Sequence, residues 1–408
     1  MSSYHSEEQT LARFHATDGL SQLPVPSAAE IAHSNRLIDF LIAEIEQHAG
    51  VISFRDYMNH VLYRPELGYY SAGLTKLGID GDFVTAPEIS ILFGRTLARQ
   101  CESIFEQGCV RQILEFGAGS GRMCEQILLA LAEPCRYRIL ELSADLRSRQ
   151  QDYLQARLPV ELFDRIDWLE ALPTDFNGIV LGNEVLDAMP VHLVCKERAW
   201  FELGVGFDGR RLCWRRYADD SEAISMMQLI ESSHQVLPEG YTSEINLNYR
   251  PWLAGLQGSC NQVVVLMIDY GYLQGQYYHP ERAGGTLVCH YHHRVHYDPL
   301  IYPGLQDVTA SVDFDALADA ALLCDFGICG LSTQAQFLLA NGLLEEAGCA
   351  ELEMNTKSQL ELAQQIKTLT LPGEMGDRFK VIGLQKNLSI EIGAFNSRRL
   401  VADDNSRR

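Results

Sequence analysis

Positive charge is in short supply in this chain: 33 lysines and arginines face 54 aspartates and glutamates over 408 residues, a formal charge of −21. A phosphate backbone is held by cationic contacts, so this balance disfavours nucleic acid as a partner. An arginine- or lysine-bearing segment of another protein suits the field better. Long apolar runs are missing as well. None approaches the ~20 residues that span a bilayer, so membrane insertion is not expected even though 47% of the residues are hydrophobic. The opening residues, MSSYHSEEQT, carry neither a basic-then-apolar signal nor an arginine-rich, acid-poor transit character. Eleven cysteines form no C-x-x-C pair, and thiols without a pairing framework suit a reducing compartment, so the expected location is the cytoplasm. Cys289-His290-Tyr291-His292-His293, with His279 and His296 nearby in sequence, imitates a metal site. No H-E-x-x-H or spaced Cys/His framework supports it, and no metal is expected. Read as a strand, that stretch would put His290 and His292 on one face and His293 on the other.

What is present begins with Val110–Met123, VRQILEFGAGSGRM. A short apolar strand (Ile113, Leu114, Phe116) runs into a glycine elbow at Gly117, Gly119 and Gly121, and an apolar helix follows. Twenty residues after Gly121, a second strand, 137–142, ends near an acid, Glu141. This is the layout of a Rossmann-like nucleotide pocket, in which glycines let the backbone approach the ligand and the acid receives ribose hydroxyls. The turn is G-x-G-x-G, with Arg122 where a dinucleotide fingerprint continues toward a further glycine, and Glu115 stands two residues before the glycines. A dinucleotide needs bare amides facing its pyrophosphate. S-adenosylmethionine has no phosphate but carries an ammonium, which a carboxylate at a strand end can meet directly or through water. The pattern therefore favours S-adenosylmethionine over NAD.

Along the chain, residues 1–28 read as a loose polar leader. Residues 29–109 read as a helical and irregular segment packing over the cofactor site, and 391–408 as a polar tail. A helix is expected over 30–46, with Ile31, Leu37, Phe40, Leu41 and Ile45 inward, and irregular structure over 50–80. Thr85 and Glu88 have capping-box spacing. The preceding Asp82, like Thr85, is a candidate to lie over the cofactor. Alternating strands (110–116, 137–142, 167–169, 178–183, 263–268) and helices (121–132, 144–157) argue a parallel, doubly wound α/β sheet over 110–390. Insertions are expected at about 191–260 and 270–312, the first containing an antiparallel hairpin over 191–217 with its turn at Asp208-Gly209. Helices near 313–323, 332–347 and 357–368 and a strand at 379–384 complete the reading.

Asn183-Glu184-Val185-Leu186-Asp187 follows the fourth strand, at the carboxyl edge where open parallel sheets hold ligands. Methyl transfer is an in-line displacement in which alignment supplies much of the catalysis. An arginine acceptor is cationic, with a pKa above ~12, and a carboxylate can orient it bidentately. Glu184 is the first candidate for that clamp, Asp187 or Asp269 the second, and Asn183 lies at the same edge.

These segments together resemble the family of S-adenosylmethionine-dependent methyltransferases that includes the mitochondrial arginine methyltransferase needed for respiratory complex I assembly and its bacterial relatives. The resemblance runs from about residue 52 to 384. It is carried by YRPELGYYS (63–71), GDFVTAPEIS (81–90), LEFGAGSGRM (114–123), ELSADLRSRQ (141–150), NEVLDAMPV (183–191), IDYGY (268–272), GGTLVCHYHHR (284–294) and PGLQDVTASVDF (303–314). It implies a class I methyltransferase fold with a seven-stranded sheet, S-adenosylmethionine as cofactor, and a protein substrate presenting an arginine, such as a respiratory-complex subunit. It also implies Gly117, Gly119 and Gly121 as the cofactor loop, Glu141 as the ribose contact and Asn183-Glu184 as the edge of the reacting centre. Ala118 stands where the family often has proline, and Ser311 where it has histidine. Two rival readings are a small-molecule methyltransferase and an assembly factor that binds the cofactor without turnover. The inserted hairpin leaves a homodimer contact and a substrate lid equally open.

Overall fold

The structure, a computed structural model, describes residues 23–71, 84–351 and 355–395, and the chain divides into two compact units. One comprises residues 84–186, 249–273 and 312–408 and is built on a single sheet. Its strands are β1 (Gln112–Phe116), β2 (Arg136–Leu140), β3 (Ile166–Leu169), β4 (Phe176–Asn183), β5 (Cys260–Tyr272), β6 (Val312–Asp313), β7 (Gly327–Thr333) and β8 (Phe379–Lys386). The order across the sheet is β7-β8-β5-β4-β1-β2-β3, with the short β6 beside the end of β5. Strands β1 to β5 pair in parallel, whereas β8 runs antiparallel to both β5 and β7. The seven-stranded α/β sheet expected from the sequence is thus present, in the doubly wound 3-2-1-4-5 order. The strand at 327–333 has no sequence signal, because its glycines and cysteine break any apolar alternation.

Parallel strands buried on both faces read as continuous apolar runs. Ile113, Ile179, Leu181, Val264 and Leu266 are all essentially inaccessible. They pack in one cluster with Phe93, Leu97, Ile127, Tyr137, Ile139, Leu154, Phe337 and Leu338. The helices that cover this end of the sheet are α1 (Ala86–Ile89), α2 (Ile91–Glu106), α3 (Arg122–Ala130) and α4 (Ala144–Arg157). The spacing of Ile89, Phe93, Leu97, Cys101 and Phe105 after Thr85 predicts one helix ending at Gly108, but the segment forms two. Ser90 adopts an extended backbone and caps α2 by accepting the Leu92 N–H, while Thr85 makes no side-chain cap bond to α1.

The other unit comprises residues 1–83, 187–248 and 274–311. It contains a five-stranded antiparallel sheet, Val51–Ser53, His192–Lys196, Trp200–Phe207, Leu212–Ala218 and Thr242–Ile245. The hairpin expected over 191–217 is real, turning at Asp208, whose Oδ1 accepts the Arg210 and Arg211 N–H groups. It is only part of this larger sheet, because strand 51–53 from early in the chain joins it through Trp200–Phe207. Residues expected to be irregular form a helix, Phe54–Tyr63, capped by Ser53 and burying Phe54, Tyr57, Met58, Val61 and Leu62. Helix Ala28–Gln47 buries Leu37, Leu41 and Ile45 as expected, with His33 and Ser34 in place of Ile31, which is exposed. A separate three-stranded sheet contains Val288–Tyr291, Arg294–His296 and Asp307–Thr309. His292 and His293 are the turn of its hairpin, both at positive φ (45° and 59°), so the expected strand alternation stops at Tyr291. His292 points its Nε2 at Glu30, 3.0 Å away.

Candidate active site

Parallel register brings the carboxyl ends of four strands level. Phe116 pairs with Leu140 on one side and with Gly182 on the other, and Asn183 pairs with Ile268. Between β1 and β4 the strand order reverses, the position at which open parallel sheets hold ligands, outside the carboxyl ends of the strands. The loops lining this edge are Gly117–Gly121 after β1, Glu141–Ser143 after β2, Glu184–Leu186 after β4 and the end of β5.

Gly117, Gly119 and Gly121 all have positive φ, at 62°, 55° and 87°, a region that L side chains avoid. A Cβ on Gly117 would also stand 3.0 Å from Val185 Cγ2. The elbow is therefore a bare backbone surface, as the sequence suggests. Glu141 follows β2 and is largely buried. Its Oε1 accepts the Ser143 N–H at 2.9 Å and its Oε2 accepts Gln150 Nε2 at 3.1 Å. A carboxylate has about four lone-pair sites, so these bonds orient it while leaving acceptor capacity for a diol. Burial raises its pKa, opposed by the Ser143 and Gln150 hydrogen bonds.

Glu115 is only 1% exposed, on the sheet face shared with Ile113, and its Oε2 accepts the Tyr137 hydroxyl at 2.8 Å. Burial pushes the carboxyl up to about 8, the hydrogen bond from Tyr137 opposing the shift and the charge of Glu141 adding to it. It is thus an uncompensated buried acid, which a nearby ligand ammonium would favour in the ionised form.

Two supporting residues were not assigned from the sequence. Gln150 is fully buried on α4 and donates to both Gly119 O (3.0 Å) and Glu141, while its Oε1 accepts Trp168 Nε1 at 3.1 Å. It ties the glycine elbow to Glu141. Glu88 does not complete the capping box its spacing suggested. It accepts the Ser120 hydroxyl and pairs with Arg122 Nε at 2.6 Å. Gln126 donates to Pro87 O at 2.8 Å and accepts the Gly94 N–H. The segment beginning at Thr85 is in this way anchored against the elbow, and Thr85 itself is half-buried at its start. Asp82 lies outside the described residues.

After β4, Asn183 Nδ2 donates to Glu184 Oε1 at 3.0 Å, and Asn183 Oδ1 is buried with no hydrogen-bond partner among the described residues. Glu184 has φ 54°, a left-handed conformation that costs a side-chain-bearing residue about 1–2 kcal/mol. Asp269 was a candidate second clamp, but its carboxylate accepts the backbone N–H groups of Val185, Leu186 and Tyr270 at 3.1, 2.8 and 2.9 Å. Asp187 belongs to the other unit, where its carbonyl accepts the Ala310 N–H at 2.9 Å. There burial, then the charges of Asp307 and Asp187, raise the Tyr63 hydroxyl. Asn183 and Glu184 are brought together by that 3.0 Å hydrogen bond.

Among the described residues no cluster of three or more histidine, cysteine or acidic side chains is arranged to hold a metal. His296 is buried and its pKa falls to about 4, chiefly through burial. No described helix is long and apolar enough to cross a membrane.

Residues 96–330 match the sequence model of a family described as S-adenosyl-L-methionine-dependent methyltransferases. The mitochondrial protein arginine methyltransferase NDUFAF7 of Danio rerio is 28% identical, with 81% of this chain and 82% of that protein aligned. Its Drosophila melanogaster homolog is 28% identical over 88% and 86% of the two chains. A Burkholderia thailandensis structure bound to S-adenosyl-homocysteine is 38% identical, covers 92% of this chain and 98% of its own, and superimposes with a TM-score of 0.86.

Proposed function

The chain belongs to the S-adenosyl-L-methionine-dependent methyltransferase family, and from that premise we propose that it methylates an arginine side chain of a partner protein. The bound cofactor supplies a methyl group carried on a sulfonium. The residues around the elbow fit it: a bare glycine backbone for close approach, Glu141 with remaining acceptor capacity for ribose, and buried Glu115 for the ammonium.

The observation that carries the arginine reading is the Asn183–Glu184 pair, a carboxylate oriented by its neighbour's amide at the sheet edge beside the elbow. Glu184 would receive the guanidinium bidentately and hold its charge away from the attacking nitrogen. The unpartnered Asn183 Oδ1 offers an acceptor for another guanidinium N–H. The net charge of −21 favours approach of a cationic segment, and the names of the curated relatives agree. A respiratory-complex subunit is the narrower form of this reading. All eleven cysteines are free, which supports a reducing compartment, and the cytoplasm is the location proposed.

The test begins with calorimetric titration of S-adenosylhomocysteine into wild type and Gly119→Val, where binding should be lost in the variant. Lysate from cells lacking the protein is then incubated with tritiated S-adenosylmethionine and enzyme, and labelled residues are identified by mass spectrometry. Methylarginine formed by wild type and abolished in Glu184→Gln, with cofactor binding retained, is the expected result. Label in small molecules alone would replace the acceptor class, and full activity of Glu184→Gln would remove the clamp.

A further inference from the structure

The proposed chemistry rests on Glu184, and the backbone there is one that side-chain-bearing residues avoid. Something nearby has to hold it. Its own N–H donates to Ile268 O at 2.9 Å, which continues the pairing of β4 with β5 by one residue. The next two amides, Val185 and Leu186, then leave the ladder and converge on a single atom, Asp269 Oδ2. The other oxygen, Oδ1, accepts the Tyr270 N–H. Asp269 is fully buried, and its carboxylate therefore stitches the turn after β4 to the backbone of β5.

We propose that Asp269 is a positioning residue for Glu184: it fixes the left-handed turn from which the Glu184 carboxylate is presented, and does not itself hold the acceptor. This rests on the reading of Glu184 given above. A carboxylate is required for a geometric reason. Both oxygens accept, one from Val185 and Leu186 and the other from Tyr270, so all the donors are satisfied only when both atoms are acceptors. A carboxamide of the same shape must turn its NH2 toward one of these N–H groups, setting two donors face to face. Asn183 supplies the complementary restraint on the Glu184 side chain through its 3.0 Å hydrogen bond. The turn and the side chain are thus held separately, by the residue that follows Ile268 on β5 and by the last residue of β4.

Asp269→Asn in the full-length protein tests this, with three readouts. Turnover is measured with tritiated S-adenosylmethionine and the lysate acceptor, cofactor affinity by titration with S-adenosylhomocysteine, and the backbone by a crystal structure of the variant. Turnover should fall on the order of a hundredfold, the loss expected when a reacting group is displaced by about an ångström. The KM for S-adenosylmethionine and the affinity for S-adenosylhomocysteine should stay within about threefold of wild type, as for a group acting on the chemical step. Glu184 should leave the left-handed region in the crystal structure. Wild-type turnover, or Glu184 unmoved, overturns the proposal. So does a parallel fall of turnover, cofactor affinity and melting temperature, which would make Asp269 a general support of the strand end. If Glu184→Gln itself retains full turnover, the clamp reading fails on its own, and the crystallographic readout still decides what Asp269 does to the backbone.

Discussion

Replacing Glu115 by glutamine should change how stability depends on pH. The wild-type carboxyl has an ordinary value of 4.5 when the chain is unfolded and about 8 when folded, because burial disfavours its charge. Between those values the unfolded chain releases a proton that the folded protein keeps. Stability attributable to this group is therefore intact below pH 4.5, falls by about 1.4 kcal/mol per pH unit through the window, and levels off above pH 8. The full loss is about 5 kcal/mol, since each tenfold change in proton affinity is worth about 1.36 kcal/mol. Glutamine keeps the shape and the acceptor for the Tyr137 hydroxyl but cannot ionise. Urea unfolding of both proteins from pH 4.5 to 9 gives a difference curve in which titrating groups not coupled to Glu115 largely cancel. The variant should gain on wild type steadily up to pH 8. A flat difference curve would mean that the carboxyl is solvated or paired in the folded state, and the account of an uncompensated buried acid would be wrong. Saturating S-adenosylhomocysteine should shallow the slope, because its ammonium favours the ionised form.

Two further outcomes follow from the elbow. Gln150→Leu strands Gly119 O, one oxygen of Glu141 and Trp168 Nε1, of which the Glu141 bond is buried, and a buried group left without its partner costs about 1–3 kcal/mol; calorimetry should show S-adenosylhomocysteine affinity reduced roughly tenfold, and unchanged affinity would show that Gln150 does not set the pocket. Gly117→Ala places a methyl group at positive φ and against Val185, so thermal unfolding should reveal about 1–2 kcal/mol or more of lost stability, whereas an unchanged midpoint would mean that the elbow relaxes freely.

The sheet was legible because its strands are short apolar runs ending on chemically distinctive residues. Ile113–Phe116 into Gly117 and Ile179–Leu181 into Asn183 announce both the strand and the edge. Helix 54–63 was harder to see: its apolar face is spaced correctly, but it lies next to the tyrosine- and glycine-rich stretch that follows and was read with it as irregular. The supporting bonds were not legible for a different reason. Glu88 sits three residues from Thr85, a local pattern with a ready explanation, yet its partners Ser120 and Arg122 are over thirty residues away. Gln150 is an ordinary amide on a polar helix until folding places Gly119, Glu141 and Trp168 around it. Asp269 reads as chemistry because acids at strand ends often are, and only folding shows that three backbone N–H groups converge on its carboxylate. Sequence spacing reports what a residue can do nearby, whereas tertiary partners decide what it does.

The antiparallel β8 has a consequence for how the protein is made. It is the last described strand in the chain, yet it lies inside the sheet, between β5 and β7. While the ribosome is still adding residues after Thr333, β5 has a partner on only one side over Val263–Ile268, and β7 has none in the sheet. An unpaired apolar strand edge invites association with other chains. The interval before Phe379–Lys386 emerges is thus the time at which the nascent protein is most exposed to aggregation, and nascent multi-element chains with such surfaces are natural clients of chaperones.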